Sequence, residues 1–243
     1  MGLIIATCSG KGGVGKSTVS VNTAIALQNE GKSVLLIDMD AGMRCLDLLL
    51  GVNENLVFDL SDVLAGKSLE DCILRIDGYI ELYLLAAPST KGEIDKEKWE
   101  ELIASVSDKF DAVIIDFPAG NDVSLLSALP FDTQIICVAN PDAVSVRDAS
   151  FMGNLLSRQD KKARLIINKY NYYFIKGNTF STLDDIINET GMQLLGIVPF
   201  SEGLEYAFCT GDFRIKGREK RAFRRIAKRL EGKNLPLPNL KKI

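Results

Sequence analysis

The 243-residue chain contains no histidine. Imidazole therefore cannot serve as base, nucleophile or metal ligand, and proton handling or cation binding falls to carboxylates, hydroxyls, lysines and water. Its cysteines exclude more than they suggest. Cys8, Cys45, Cys72, Cys137 and Cys209 are odd in number and scattered, with no C-x-x-C, so neither a disulfide framework nor a zinc site is indicated and the thiols read mostly as small core residues. No apolar run approaches membrane-spanning length, and the first residues lack the charged, apolar and cleavage-site order of a signal peptide, which predicts a cytoplasmic protein. Low-complexity tracts, long linkers and internal repeats are absent as well.

What remains is 47% hydrophobic and 25% charged, enough to bury the core of one large domain. Short apolar runs recur: LIIATC from Leu3, SVLLID from Ser33, IELYLLA from Ile80, DAVIID from Asp111, TQIICVAN from Thr133, ARLIIN from Ala163 and QLLGIVP from Gln193. Each reads as a buried strand. Helical patterns lie between them, clearest in DKEKWEELIASVSDKF, where Trp99, Leu102, Ile103, Val106 and Phe110 recur at spacings of three and four. Strand then helix, repeated, predicts an α/β fold with a mostly parallel sheet of seven or eight strands and helices on both faces.

The net charge of −3 hides an asymmetry. Residues 214–233 hold ten Lys/Arg against Glu219 and Glu231, a net +8 that leaves the rest of the chain at −11. Within that segment Phe223, Ile226, Ala227 and Leu230 form an apolar stripe among Arg221, Arg224, Arg225, Lys228 and Arg229, as in a final helix packed on the sheet with solvated cations. Such a charge density would also attract anionic lipid. The domain is read as residues 1–232, followed by a proline-containing tail over 233–243.

The chemistry concentrates in SGKGGVGKST. Gly10 to Ser17 fits G-x-x-x-x-G-K-[ST], follows the first strand and opens a helix from Lys16 to about Asn29, the context of a phosphate-binding P-loop. Gly10, Lys11, Gly12, Gly13, Val14, Gly15, Lys16, Ser17 and Thr18 are the expected nucleotide-binding loop. Its backbone N–H groups and the helix N-terminus attract phosphate, Lys16 neutralises β/γ charge, and the Ser17 hydroxyl ligates Mg²⁺. The loop needs one lysine, so Lys11 calls for a separate account.

Acids stand at two strand ends. In IDMDAG, Asp38 and Asp40 share a strand face by alternation and can point together at the phosphates, Asp38 holding the Mg²⁺ hydration shell and Asp40 the attacking water; the other reading is a pair of solvated loop acids. DAVIID ends on Asp116, four apolar residues and then an acid, the Walker B arrangement for the metal, or else a helix N-cap. FPAG after it suits a loop that senses γ-phosphate. Asn168 and Lys169 close ARLIIN, where an Asn can offer its amide to adenine or simply make a turn. Tyr170, Tyr172, Tyr173 and Phe174 can cover a base or a partner, or fold over the sheet edge.

Across nearly the whole chain these residues resemble the deviant Walker A ATPases, and within them the MinD branch. KGGVGKST carries that family's signature lysine at Lys11, IDMDAGMRCLDLLLG is similar to the branch's segment after the second strand, and IIDFPAG, NPDAVSVRDA and GIVPF follow in the family's order. The resemblance implies a Mg²⁺-dependent ATPase that forms a homodimer on binding ATP. Lys11 then acts catalytically in trans on the partner's phosphates, alongside Lys16 and Asp40, and Pro199 joins the nucleotide-binding set. It also implies an activator and a cargo protein, and attachment to an anionic membrane surface at the inner face of the cell membrane. Cys45 departs from the branch's usual Asn, Phe117 from a small residue, and the basic helix runs into a proline-containing tail where MinD proteins usually carry an amphipathic membrane-targeting helix.

The leading functional expectation is a dimerising switch that positions other proteins in cell division. The alternatives are a ParA-like partition ATPase on nonspecific DNA and a flagellar-number regulator of the same branch. A metabolic ligase would want a substrate domain for which no room remains, and an iron–sulfur carrier would want placed cysteines.

Overall fold

Strands that are apolar on both faces need cover on both faces, and the amphipathic stripes between them supply it. The computed structural model describes residues 1–173, 182–210 and 215–242. Within these, β1 (Leu3–Cys8), β2 (Val34–Asp38), β3 (Leu74–Arg75), β4 (Leu82–Leu85), β5 (Ala112–Asp116), β6 (Gln134–Ala139), β7 (Ala163–Tyr170) and β8 (Gln193–Pro199) form one eight-stranded sheet in the order β3-β4-β2-β5-β1-β6-β7-β8. Neighbours run parallel except β3 against β4. All seven runs read from the sequence are strands. The run from Ile80 begins its pairing only at Leu82, with Ile80 itself exposed, and the two-residue β3 is too short to carry any periodic signal.

The helices are α1 (Lys16–Asn29), α2 (Cys45–Leu49), α3 (Leu60–Leu64), α4 (Leu69–Cys72), α5 (Lys96–Lys109), α6 (Ser124–Ser127), α7 (Ala143–Ser157), α8 (Leu183–Thr190), α9 (Glu202–Thr210) and α10 (Gly217–Leu230). Alternation along each strand sends its residues to two separate cores. From β1, Ile4, Ala6 and Cys8 join the layer beneath α5, α7 and α8, whereas Ile5 joins the layer beneath α1, α2, α9 and α10. The helix α5 starts where the Asp95 carboxylate accepts the N–H groups of Glu97 and Lys98, and it buries the predicted stripe from Trp99 to Val106.

The basic segment is the domain's final helix. Phe223, Ile226, Ala227 and Leu230 of α10 are buried against α1 and β8. Two of its cations pair with one acid of the domain, since Arg224 Nε lies 2.7 Å and Lys228 Nζ 3.9 Å from the Glu30 carboxylate at the end of α1. The tail then doubles back: Arg225 donates to the Pro236 carbonyl, Arg229 donates to that of Leu235, and Leu240 packs against the first core layer. On the edge strand β8 the Leu195 carbonyl is met by the Arg229 side chain, which donates to it.

The seat of α10 is tight at one point. A Cβ on Gly196 of β8 would lie 2.4 Å from Ile226 Cγ1, inside van der Waals contact. Gly196→Ala is therefore expected to lift α10 from the sheet and cost about 1–3 kcal/mol, read as a lower urea midpoint with the m-value unchanged.

Candidate nucleotide-binding site

The loop between β1 and α1 is shaped by residues that lack a side chain. Gly13 and Gly15 sit at φ 79° and 85°, left-handed conformations that other residues adopt only with strain. Gly15 is also the N-cap of α1, so no side chain satisfies the first N–H groups of that helix and they stay open to an anion. Close packing adds a second demand, because a Cβ at Gly15 would lie 2.3 Å from the Asn168 amide nitrogen and one at Gly10 2.6 Å from the Asp148 carbonyl. Asn168, buried at the end of β7, donates that amide to the Val14 carbonyl at 2.7 Å. One of its two amide protons thus braces the loop, and Asn168 also lines the cavity described below.

Beneath the loop lies Asp116, fully buried at the end of β5. One carboxylate oxygen, Oδ2, accepts from Ser17 Oγ at 2.6 Å and faces Lys16 Nζ at 3.0 Å. The other, Oδ1, lies 2.6 Å from Ser20 Oγ and 2.9 Å from Thr7 Oγ1, and those hydroxyls are 2.7 Å apart. Each hydroxyl has one proton, and both are placed to donate it to Asp116 Oδ1. Asp116 caps no helix, since α6 begins eight residues later with Val123 at its cap.

Asp38 is paired with Asp116 across the parallel β2–β5 register. It is 1% exposed, and its oxygens accept the backbone N–H of Asp40 at 2.9 Å and of Leu46 at 3.0 Å. Burial, and secondarily the Asp116 charge, push its carboxyl from 3.8 up to about 7 against these hydrogen bonds and the Lys16 charge. Asp40 lies beyond the end of β2, in a turn where its carbonyl accepts from Met43 and Arg44. The two acids therefore do not share a strand face as alternation implied: Asp38 is turned inward, and Asp40 is half-buried at the surface of the site.

A cavity of about 440 Å³ opens above these groups. Gly12, Gly13, Gly15, Lys16, Ser17 and Thr18 line it together with Asp40, Asn168, Lys169 and Pro199. Gly10, Val14, Asp38 and Asp116 are not among its lining residues. Lys169 stands at φ 53° in a register shift between β7 and β8, and its Nζ pairs with Glu205 of α9 at 2.8 Å. Met43, Cys45 and Ala119, from the IDMDAGMRCLDLLLG and FPAG segments, also line the cavity, as do Ser201, Leu204 and Glu205, which belong to no motif and which the sequence did not point to. Lys11 is absent from the lining. Its side chain is 43% exposed and its Nζ lies 3.9 Å from the Asp142 carboxylate.

The loop after β5 is tied to the phosphate loop, with Phe117 N–H donating to the Thr7 carbonyl and Gly120 N–H to that of Ser9. Phe117 is buried edge-on against Trp99, ring centroids 6.4 Å apart, so its bulk is spent in the core. Tyr170 is buried, Tyr172 and Tyr173 stack edge to face and do not line the cavity, and Phe174 lies outside the described residues. Among the described residues no three His, Cys, Asp or Glu side chains gather as a metal cage. A hydroxyl and two carboxylates near a phosphate loop suit Mg²⁺ all the same, which is usually held by one or two protein oxygens together with phosphate and water.

Strand, glycine loop and helix, with a lysine and a serine resting on an acid from the neighbouring strand, define a P-loop nucleotide-binding protein. Residues 5–215 match the CobQ/CobB/MinD/ParA nucleotide binding domain. The septum site-determining protein MinD of Synechocystis is 36% identical, over 97% of this chain and 92% of that protein. MinD in the MinC:MinD cell division complex of Aquifex aeolicus superposes with a TM-score of 0.87 at 31% identity, covering 98% of this chain and 99% of the other. MinD of Pyrococcus horikoshii, solved with Mg-ADP, gives 0.81 at 29% identity, covering 95% and 96%. The chain belongs to the MinD/ParA family of nucleotide-binding ATPases, in its MinD branch.

The raised Asp38 sets a pH dependence for the stability of the protein without ligand added. An unfolded Asp38 ionises near 3.8 and the folded one near 7, so between these values the unfolded chain binds fewer protons and stability falls as pH rises. Urea melts without nucleotide or metal should show wild type losing stability relative to Asp38→Asn from about pH 4 to 7; parallel pH profiles would discount the burial of that charge.

Proposed function

We propose that the chain is a Mg²⁺-dependent ATPase that cleaves ATP to ADP and phosphate and uses the cycle as a dimerising switch in the placement of the division site. The observation that carries this reading is the Lys16–Ser17 pair held on buried Asp116 at the wall of a cavity that Asp40 also lines. The relative solved with Mg-ADP supports the choice of ligand. In this reading the open N–H groups of the loop and α1 receive the phosphates, and Lys16 turns from Asp116 toward the β/γ oxygens. Ser17, Asp116 and Asp38 would hold Mg²⁺, which when bound would supply positive charge beside the phosphates. Asp40 orients the attacking water. Thr18, Asn168, Lys169 and Pro199 flank the rest of the nucleotide.

Lys11 acts in trans. Its exposure and its position on Asp142 leave it clear of its own cavity, as a cation delivered by a second ATP-bound subunit would be. Charge stabilisation is then coupled to assembly, the logic of an arginine finger. The Aquifex complex supports a MinC-type cargo for this chain. No helix of the described residues is long and apolar enough to cross a membrane, and peripheral attachment at the inner face of the cell membrane is assigned to basic surface on α10. The MinD relatives cover nearly the whole chain and favour this reading over partition on DNA.

Asp40→Ala should bind ATP normally yet hydrolyse it about 10²-fold or more slowly and accumulate as dimer in sedimentation; near-wild-type turnover would remove Asp40 from the mechanism. Lys11→Ala should bind nucleotide but neither dimerise nor hydrolyse. Mixing it with Asp40→Ala, which supplies an intact Lys11 to a competent site, should restore part of the activity. Confirmed mixed dimers without rescue would place Lys11 in cis or in folding.

A further inference from the structure

A second cavity, of about 370 Å³, lies far along the chain from the phosphate loop, between the edge of β8, one face of α10 and the returning tail. Arg218, Arg221, Arg225 and Arg229 follow one another at spacings of three and four on α10 and line it, joined by Lys242 from the tail. No carboxylate is among the lining residues. In a chain that is otherwise net acidic, this is a concentration of one sign that folding has gathered.

Among the described residues no carboxylate pairs with Arg218, Arg221, Arg225 or Arg229. Arg229 donates to the carbonyls of Leu195 and Leu235, and Arg225 to that of Pro236, so their partners are neutral. Arg218 and Arg221 are exposed and have no hydrogen bond or ion pair among the described residues. Arg229 is depressed from its usual range by burial and then by the Arg225 charge, and Arg164 beneath it by burial and then by Arg229. Guanidinium groups crowded until they repel one another gain most from a ligand that brings negative charge and several acceptors, and their planar forks match phosphate oxygens. The volume suits a small ligand, and Leu237 and Ile226 add an apolar side to the same cavity.

We infer that the cavity between α10, the β8 edge and the tail is a binding site for a phosphate-bearing anion of two or more charges. The ligand bridges Arg218 and Arg221 on the helix to Lys242 on the tail, so binding also fastens the tail to the domain. This site is separate from the nucleotide cavity and does not depend on the ATPase reading. The phosphate comes either from a soluble polyphosphate or from the headgroup of an anionic lipid.

The test compares wild type, Arg218→Gln/Arg221→Gln, and Arg147→Gln/Arg158→Gln, which removes the same charge from α7 and its C-terminal end. Calorimetric titration with inorganic pyrophosphate should lose one bound equivalent in the α10 double variant alone, with melting temperatures confirming that all three are folded. The phosphate loop is unchanged in all three, so whatever it binds is common to them. Equal binding by all three, or equal loss in both doubles, overturns the site. Co-sedimentation with phosphatidylglycerol vesicles assigns the source: loss of vesicle binding in the α10 variant and by excess pyrophosphate means a headgroup, and vesicle binding untouched by either means a soluble phosphate.

Discussion

Asp116 is the residue on which the site's geometry rests. A carboxylate with no exposure must be met by donors, and here they come from three places: Thr7 on β1, Ser17 and Ser20 on α1, and the Lys16 ammonium. Satisfying that one charge fixes the first turn of α1 against the ends of β1 and β5. The phosphate loop between them has little freedom left, and its two left-handed glycines take up the turn that remains. Burial first, and then the charge of this same carboxylate, raise the Asp38 carboxyl beside it.

The position of the cavity follows from strand order. The strand β1 lies between β5 and β6, and the chain leaves it toward β2 on one side and later fills β6, β7 and β8 on the other. Connections therefore diverge above the carboxyl ends of the central strands, the place where open α/β sheets bind ligands. Asp38 and Asp116 end strands on one side of the loop, and on the other Asn168 lies two residues before the end of β7 and Pro199 ends β8. The loop lies in the gap, braced from one side by the Asn168 amide and from the other by Gly120.

The opposite character of the two cavities comes from what surrounds their charge. At the nucleotide site a lysine is already paired with an acid, so a ligand must exchange partners, which suits a cycle of binding and release. At the α10 site the lining arginines have, among the described residues, no partners other than carbonyls, and an anion adds a partner without removing one. That contrast suits a cavity that holds its ligand.

The amino-acid sequence by itself determined the alternation of buried strand and amphipathic helix, the phosphate loop, Lys16 and Ser17, and the acids at the strand ends. These are legible because they depend on local geometry: a period of two or of 3.6, a glycine where φ must be positive, a helix opening directly after a loop. Tertiary structure alone decided which of those residues meet. Ser17 and Asp116 are 99 positions apart, and Val14 and Asn168 are 154 apart. The inward turn of Asp38, the Lys169–Glu205 pair in its register shift, the parking of Lys11 on Asp142 and the arginine cavity closed by the tail are contacts of the same long-range kind. They are set by strand order and by the satisfaction of buried charge, and neither has any signature in a short window of sequence.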